Sequence, residues 1–308
     1  MADSDNSESA GGEVLAPELM ARVRQIQVRT HRMVSNMLSG AYKSTFRGTG
    51  IEFEEVRQYQ PGDDIRTIDW NVTARTGEPF VKTFVEERQL TLQLVVDTSH
   101  SMDFGSRDRS KRETAAEFCA LMAYVAVFQH DQVGLSLFSD EPGLHLNPKK
   151  GLSHVMRVIR EVIAAKPGGK GSSLTSALEL QLRMLRRRSM IFVVSDFLTT
   201  TEEDWSRVLG RLSAKHDVVC VRTIDPFEEE LPKSGLITMR DIESGQIVDV
   251  DTRSEAVRSH WAEAAKRRAD ALDEILMRAR SERIDLSTCG DVGDSVVRFF
   301  RKRTRRRR

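Results

Sequence analysis

The stretch Leu94-Val-Val-Asp-Thr-Ser-His-Ser-Met-Asp-Phe-Gly105 decides the fold. Three apolar residues lead into Asp97, and hydroxyls follow at every second place, Ser99 and Ser101. A strand that is apolar on both sides until it meets a carboxylate reads as part of a parallel sheet covered by helices on both faces. In such open α/β sheets ligands collect beyond the carboxyl ends of the strands, so Asp97 stands where chemistry is expected. Extended backbone turns alternate side chains the same way. Asp97, Ser99 and Ser101 are therefore expected to converge, with Thr98, His100 and Met102 directed elsewhere.

Outward from this strand, candidate strands and helices alternate. Apolar strands are expected at 91–96, 132–138, 190–194, 218–224 and 284–286. Between them, apolar residues recur at helical spacing in 115–130, 152–165, 174–188 and 202–215. The arginine-rich end of the third of these suits the negative pole of a helix dipole. The run LITMRDIESGQIVDVDT reads as a β-hairpin turning at Ser244-Gly245, and a charged helix with one narrow apolar stripe is expected from 254 to about 283. The alternation places an α/β domain at 89–290, with a mainly parallel sheet. Before it, 16–88 holds an expected helix from Pro17 to Gly40 and short β segments with Gly and Pro turns. Residues 1–15 are acidic and too poor in apolar side chains to order themselves. Residues 291–308 read as a C-terminal helix and basic tail.

Composition bounds the function. With 308 residues, 39% hydrophobic and 30% charged, the chain reads as a soluble globular protein. A net charge of +1 argues against attraction of the whole molecule to nucleic acid or membrane. Cys119, Cys220 and Cys289 lie far apart, which is neither a disulfide framework nor a zinc pattern. No apolar run approaches the ~20 residues needed to cross a bilayer, and the N-terminus lacks the basic start and apolar core of a secretory signal. A cytoplasmic protein without membrane insertion is expected.

Two further oxygen sources complete a candidate site. VVSDF puts Asp196 at the end of another apolar strand, and PGGKGSSLTSAL delivers Ser172 just before a helix. Asp97, Ser99, Ser101, Ser172 and Asp196 are hard donors, which favour Mg²⁺ or Mn²⁺ over zinc. Two carboxylates leave such an ion under-neutralised, with a position open to an acidic side chain of a partner. The plain alternative is that Asp97 and Ser99 cap the next turn.

Asp-x-Ser-x-Ser, a glycine-rich loop hydroxyl and a later Ser-Asp resemble the metal-ion-dependent adhesion site of von Willebrand factor A domains. That resemblance implies a von Willebrand factor A-like, Rossmann-like fold. The family's loop residue is threonine. Ser172 keeps the oxygen but loses the methyl that restricts the rotamer, so Ser173 and Thr175 compete for the role.

The block GIEFEEVRQYQPGDDIRTIDWNVTARTGEPFVKTFVEERQL, with SKRETAAEFCALMAYVAVFQHDQVGLSLFSD and MIFVVSDFL after it, resembles the bacterial family called domain of unknown function 58. The resemblance implies a soluble member working with a MoxR-type AAA+ ATPase in a chaperone-like or maturation role. Read physically, Pro61-Gly62 fits the centre of a type II turn. Arg57, Asp63, Asp64, Arg66, Asp69 and Arg75 put both charges into one short stretch. They form either a docking surface for the ATPase or a client, or a charge-paired clamp onto the core. The clamp is preferred, with Trp70 expected in the core.

Other motifs fail. Lys170 is followed by Gly171 and lacks the earlier glycine of a Walker A loop. There is no Gly-x-Ser-x-Gly elbow, and His130, His145 and His154 show no metal spacing. The leading expectation is a non-enzymatic protein-interaction module that captures an acidic group of a client or partner through its ion. One alternative is a metal-dependent hydrolase, for which Asp103 is the sole nearby candidate base. The other is nucleic-acid binding through the arginine-rich tail, 301–308, which otherwise reads as a solvated, frayed terminus.

Overall fold

The computed structural model describes residues 49–87, 90–107, 109–165, 168, 173–198, 205–240 and 245–306, with the backbone alone at 49–55 and 82–87. The acidic leader, the expected helix from Pro17 to Gly40, Ser172 and Ser244 lie outside the described residues.

The centre is a six-stranded sheet. Its strands are β3 (Thr91–Asp97), β4 (Gln132–Phe138), β5 (Pro142–Lys149), β6 (Met190–Ser195), β7 (Asp217–Ile224) and β10 (Glu282–Ser287), in the order β10-β7-β6-β3-β4-β5. All neighbours are parallel except β4 and β5. The antiparallel edge strand β5 is absent from the sequence expectation. It is mostly exposed and begins on a proline, so it lacks the apolar run that marks the buried strands.

Helices cover both faces. On one lie α2 (Lys111–Phe128), α3 (Leu152–Ala164) and α8 (Val292–Arg306), packed on Leu92, Leu94, Val96, Val133 and Leu135. On the other lie α4 (Leu174–Met184), α5 (Trp205–Lys215) and α7 (Glu255–Ala279), packed on Val95, Ile191, Val193 and Cys220. The alternation of β3 thus feeds two cores. Helix α2 is buried at Lys111 and from Thr114 to Ala126, and its alanines let it lie close against the sheet. Phe118 meets Phe192 edge-to-face at 5.3 Å between centroids, and burying such a ring contributes about 1.5–3 kcal/mol.

Two helix ends differ from expectation. Helix α4 stops at Met184 because Leu185 turns extended, so Arg186–Arg188 follow the helix rather than neutralise its last turn. Helix α7 stops at Ala279, where Arg280 takes a left-handed conformation and its N–H bonds back to Leu276 and Met277, leaving Arg283 to β10.

Two hairpins flank the chain's middle. The strands β8 (Leu236–Arg240) and β9 (Ile247–Asp251) pair antiparallel. Upstream, β1 (Thr49–Gln58) pairs antiparallel with β2 (Phe80–Glu87), and the connection carries α1 (Trp70–Thr76). There the Gln60–Asp63 turn is closed by the Asp63 N–H on Gln60 O, with Gly62 at φ 113°.

Candidate functional site

The parallel register sets the site. Val96 pairs with Val194, so Asp97 and Ser195 end neighbouring strands side by side. The strand order departs in opposite directions from β3 and β6, the switch point where open α/β sheets bind ligands. Asp97 is 1% exposed. Its Oδ2 accepts from Ser195 Oγ at 2.7 Å and its Oδ1 from the Ser99 N–H at 2.9 Å. Burial, and then the charge of Asp196, hold the Asp97 carboxyl above its usual range, against the pull of the Ser195 and Ser99 donors.

Asp97, Ser99 and Ser101 come together by a route other than strand alternation. Ser99 is the N-cap of a 3₁₀ turn over His100–Asp103. That turn brings Ser101 Oγ back to 3.0 Å from Ser99 Oγ. Two ligands on one edge of an Mg²⁺ octahedron, at metal–oxygen distances of about 2.1 Å, stand about 3 Å apart. The Ser99 and Ser101 hydroxyls therefore stand at a spacing that fits two neighbouring ligands of a hard divalent cation.

Asp196 follows β6 on the same rim. Its Oδ1 accepts from the Leu198 N–H at 3.0 Å and its Oδ2 from Lys111 Nζ at 2.6 Å. Phe197, next in the chain, sits at φ 57°, a costly conformation for a bulky side chain and one that clusters at functional positions. Its N–H bonds to Ser195 Oγ at 3.0 Å, so one hydroxyl links Asp97 to this strained turn.

Lys111, at the first position of α2, was not anticipated. Its side chain is 0% exposed, and Nζ lies 2.6 Å from both Asp196 Oδ2 and Glu228 Oε1. Glu228 belongs to the short helix α6 (Pro226–Glu229) after β7. Burial alone would drive the Lys111 pKa down, but the two carboxylates outweigh it and hold it above the ordinary value. A lysine at a helix N-terminus opposes the macrodipole and is almost never fully buried unless paired. This ammonium is an internal counter-cation for the rim, and it commits Asp196.

The remaining expected residues separate into those near the rim and those in the upstream hairpin. Of the glycine-rich loop, Gly168 lies at the rim, where its N–H donates to Thr98 O at 3.2 Å. Ser173 Oγ donates to Ser176 Oγ, and Thr175 Oγ1 is buried with no hydrogen-bond partner among the described residues. Asp103 is ion-paired with Arg112 at 2.6 Å, a geometry that suits a turn anchor better than a general base. Arg57 grips Asp63 with two bonds of 2.8 and 2.6 Å within the hairpin connection. Asp64 caps a 3₁₀ turn over Ile65–Thr67 and Asp69 caps α1, while Arg66 and Arg75 are exposed. Trp70 corrects the expectation directly. It is 68% exposed, as is Ile65, so the tryptophan is a surface residue, not core. The arginine tail is also corrected: α8 runs to Arg306, and Arg303 is buried in ion pairs with Asp217 at 2.5 Å and Glu282 at 2.8 Å.

A family model described as "Protein of unknown function DUF58" matches residues 55–271, a span that holds Asp97, Lys111, Asp196 and Glu228. The chain belongs to the DUF58 family. "Uncharacterized protein Mb1516" of Mycobacterium bovis is 30% identical over 296 residues, 96% of this chain and 92% of the relative. "Uncharacterized protein MAV169" of Mycobacterium avium is 29% identical over 51% of this chain and 94% of its own length. Among solved structures, BatB from Bacteroides thetaiotaomicron is similar at a TM-score of 0.48 and 14% identity, over 70% of this chain and 99% of that one. The SpRpn10 VWA domain is similar at a TM-score of 0.37 and 12% identity, over 68% and 94%. The strand order and the helices on both faces give this DUF58 chain a von Willebrand factor A-like fold. Within the DUF58 match, the buried thiols of Cys119 and Cys220 are pushed up, Cys220 to about 12, which leaves neither a ready nucleophile.

Proposed function

We propose that the chain is a non-enzymatic protein-interaction module whose binding surface is the rim at the ends of β3 and β6. The observation that carries this reading is the meeting of Asp97, Ser99 and Ser101 with the Lys111–Asp196–Glu228 cluster at one switch point. Asp97, Ser99 and Ser101 would hold the divalent cation, which when bound supplies an open coordination position for an acidic group of the partner. Lys111 engages Asp196 and offsets one of the two charges of Asp196 and Glu228, so Asp97 is the single carboxylate left to the ion and a coordination position stays open to an acidic group. Ser195 orients the Asp97 carboxylate through the 2.7 Å bond. The ion pairing of Asp103 with Arg112 weighs against the hydrolase alternative, because a base held by a guanidinium abstracts protons poorly.

The family resemblance supports a MoxR-type AAA+ ATPase as the partner class. The test is co-purification of the full chain with its cognate MoxR-type ATPase in Mg²⁺. Association released by chelator and lost in Ser99→Ala/Ser101→Ala supports the reading. Association that survives both treatments, or none in Mg²⁺, removes it.

A further inference from the structure

Helix α8 lies outside the residues that the family model matches. Its inward face, Val292, Val296, Phe300 and Arg303, is buried against the sheet and α2. Arg303 pins the far end of the helix to Asp217 and Glu282 at the starts of β7 and β10. The outward face is therefore a fixed array, not a loose tail. Arg298, Arg301, Lys302, Arg305 and Arg306 recur at helical spacing and all are exposed. Together they line a cavity of about 410 Å³ to which no carboxylate contributes. Arg298 and Arg301 also line a neighbouring cavity of about 720 Å³ along β10.

Among the described residues, none of these five cations has an ion pair. Like charges three and four apart on a helix repel one another. An anion laid along the face would relieve that repulsion.

We propose that this face binds the phosphodiester backbone of a single-stranded nucleic acid. The charge pattern and the covered apolar face favour that occupant over a bilayer. The apolar face of α8 is spent on the core, so the helix has nothing to insert into lipid. Arginine predominates, and its planar fork matches phosphate oxygens. The array from Arg298 to Arg306 spans about 12 Å at 1.5 Å per residue, a length that meets about two to three successive phosphates of one extended strand. Asp291 and Asp294, one to two turns earlier, limit the track to this end of the helix. Without aromatic platforms on the exposed face, recognition is of backbone and not of sequence.

The experiment is fluorescence anisotropy of labelled single-stranded DNA and RNA with the full chain across a salt series. With two to three phosphate contacts, the log–log salt slope is expected at about −1.5 to −2. Arg298→Glu/Arg301→Glu/Arg305→Glu, which leaves Arg303 in place, is expected to weaken binding by at least about tenfold at low salt, with an unchanged thermal melt. Arg267→Glu/Arg278→Glu on α7 is expected to bind as the parent does. No binding at low salt, equal binding by the triple variant, or binding to phosphatidylserine vesicles with none to either oligonucleotide would overturn the proposal. DNA and RNA binding equally supports it; a requirement for one base sequence overturns backbone recognition.

Discussion

Replacing Lys111 by methionine perturbs the rim most informatively. The ammonium makes two contacts of 2.6 Å, and its side chain is 0% exposed, against 3% for Asp196 and 22% for Glu228. Methionine fills similar volume, so packing changes little, but two carboxylates lose their counter-charge. Glu228 is partly exposed and can turn toward water; Asp196 cannot. Breaking a buried pair from one side costs about 3–5 kcal/mol because the other charge stays behind. Total stabilities are typically 5–15 kcal/mol, so the loss is a large fraction. At about 2–4 °C per kcal/mol for a domain of this size, the melting temperature should fall by roughly 6–20 °C. Urea denaturation at neutral pH gives the free energy, with an unchanged slope showing that the native state is intact. Lys111→Met/Asp196→Asn should recover a substantial part of the loss, because the uncompensated charge is gone. A single variant within about 1 kcal/mol of the parent, below the cost of an unpaired buried charge, would refute the argument that Lys111 is the rim's counter-cation.

Three further outcomes follow from the packing. Trp70→Ala should change stability by less than about 0.5 kcal/mol in urea titration, since surface substitutions seldom exceed this and the ring is 68% exposed. Arg303→Ala should cost about 1.5–3 kcal/mol by removing its charged hydrogen bonds to Asp217 and Glu282, whereas Arg305→Ala on the exposed face should be neutral in the same assay. Burial would raise the Asp225 pKa, but hydrogen bonds from Ser106, Phe227 and Thr288 outweigh it and hold it below the usual carboxylate range. Its folded pKa is the lower one, so its stabilisation is present above the unfolded value, about 3.9, and is lost as pH falls below that. Thr288→Val, which removes the 2.8 Å bond from Oγ1 to Asp225, should move the acid-unfolding midpoint to higher pH as followed by circular dichroism.

The legible part of this molecule was the part written in apolar runs. Strands that bury both faces announce themselves, and Asp97 and Asp196 stood out because each ends such a run. Strand β5 was silent because an exposed edge needs no apolar pattern. Lys111 was silent for a different reason. A lysine after a serine cap looks solvated in sequence, and its partners lie 85 and 117 residues away. Ser195 could have been found, since it ends β6 level with Asp97 once the two strands are taken as parallel neighbours. The C-terminal helix is legible, but its extent through the arginine run is not, because its buried stripe ends in Arg303, and only the distant carboxylates of Asp217 and Glu282 make arginine an inward residue. Trp70 was misplaced because aromatic character was allowed to stand for burial, although its neighbours offer caps and charges rather than an apolar face.

In the function proposed above, the oxygens at the end of β3 hold a divalent cation beside an internal ammonium. Equilibrium binding of Mn²⁺ to the full chain, read by electron paramagnetic resonance, tests it most directly. The account predicts a single site, displaced by Mg²⁺, lost in Ser99→Ala/Ser101→Ala and tightened in Lys111→Met, where a neighbouring positive charge has been removed. A parent protein that leaves Mn²⁺ free in solution, or binds it equally well without the two hydroxyls, would contradict it.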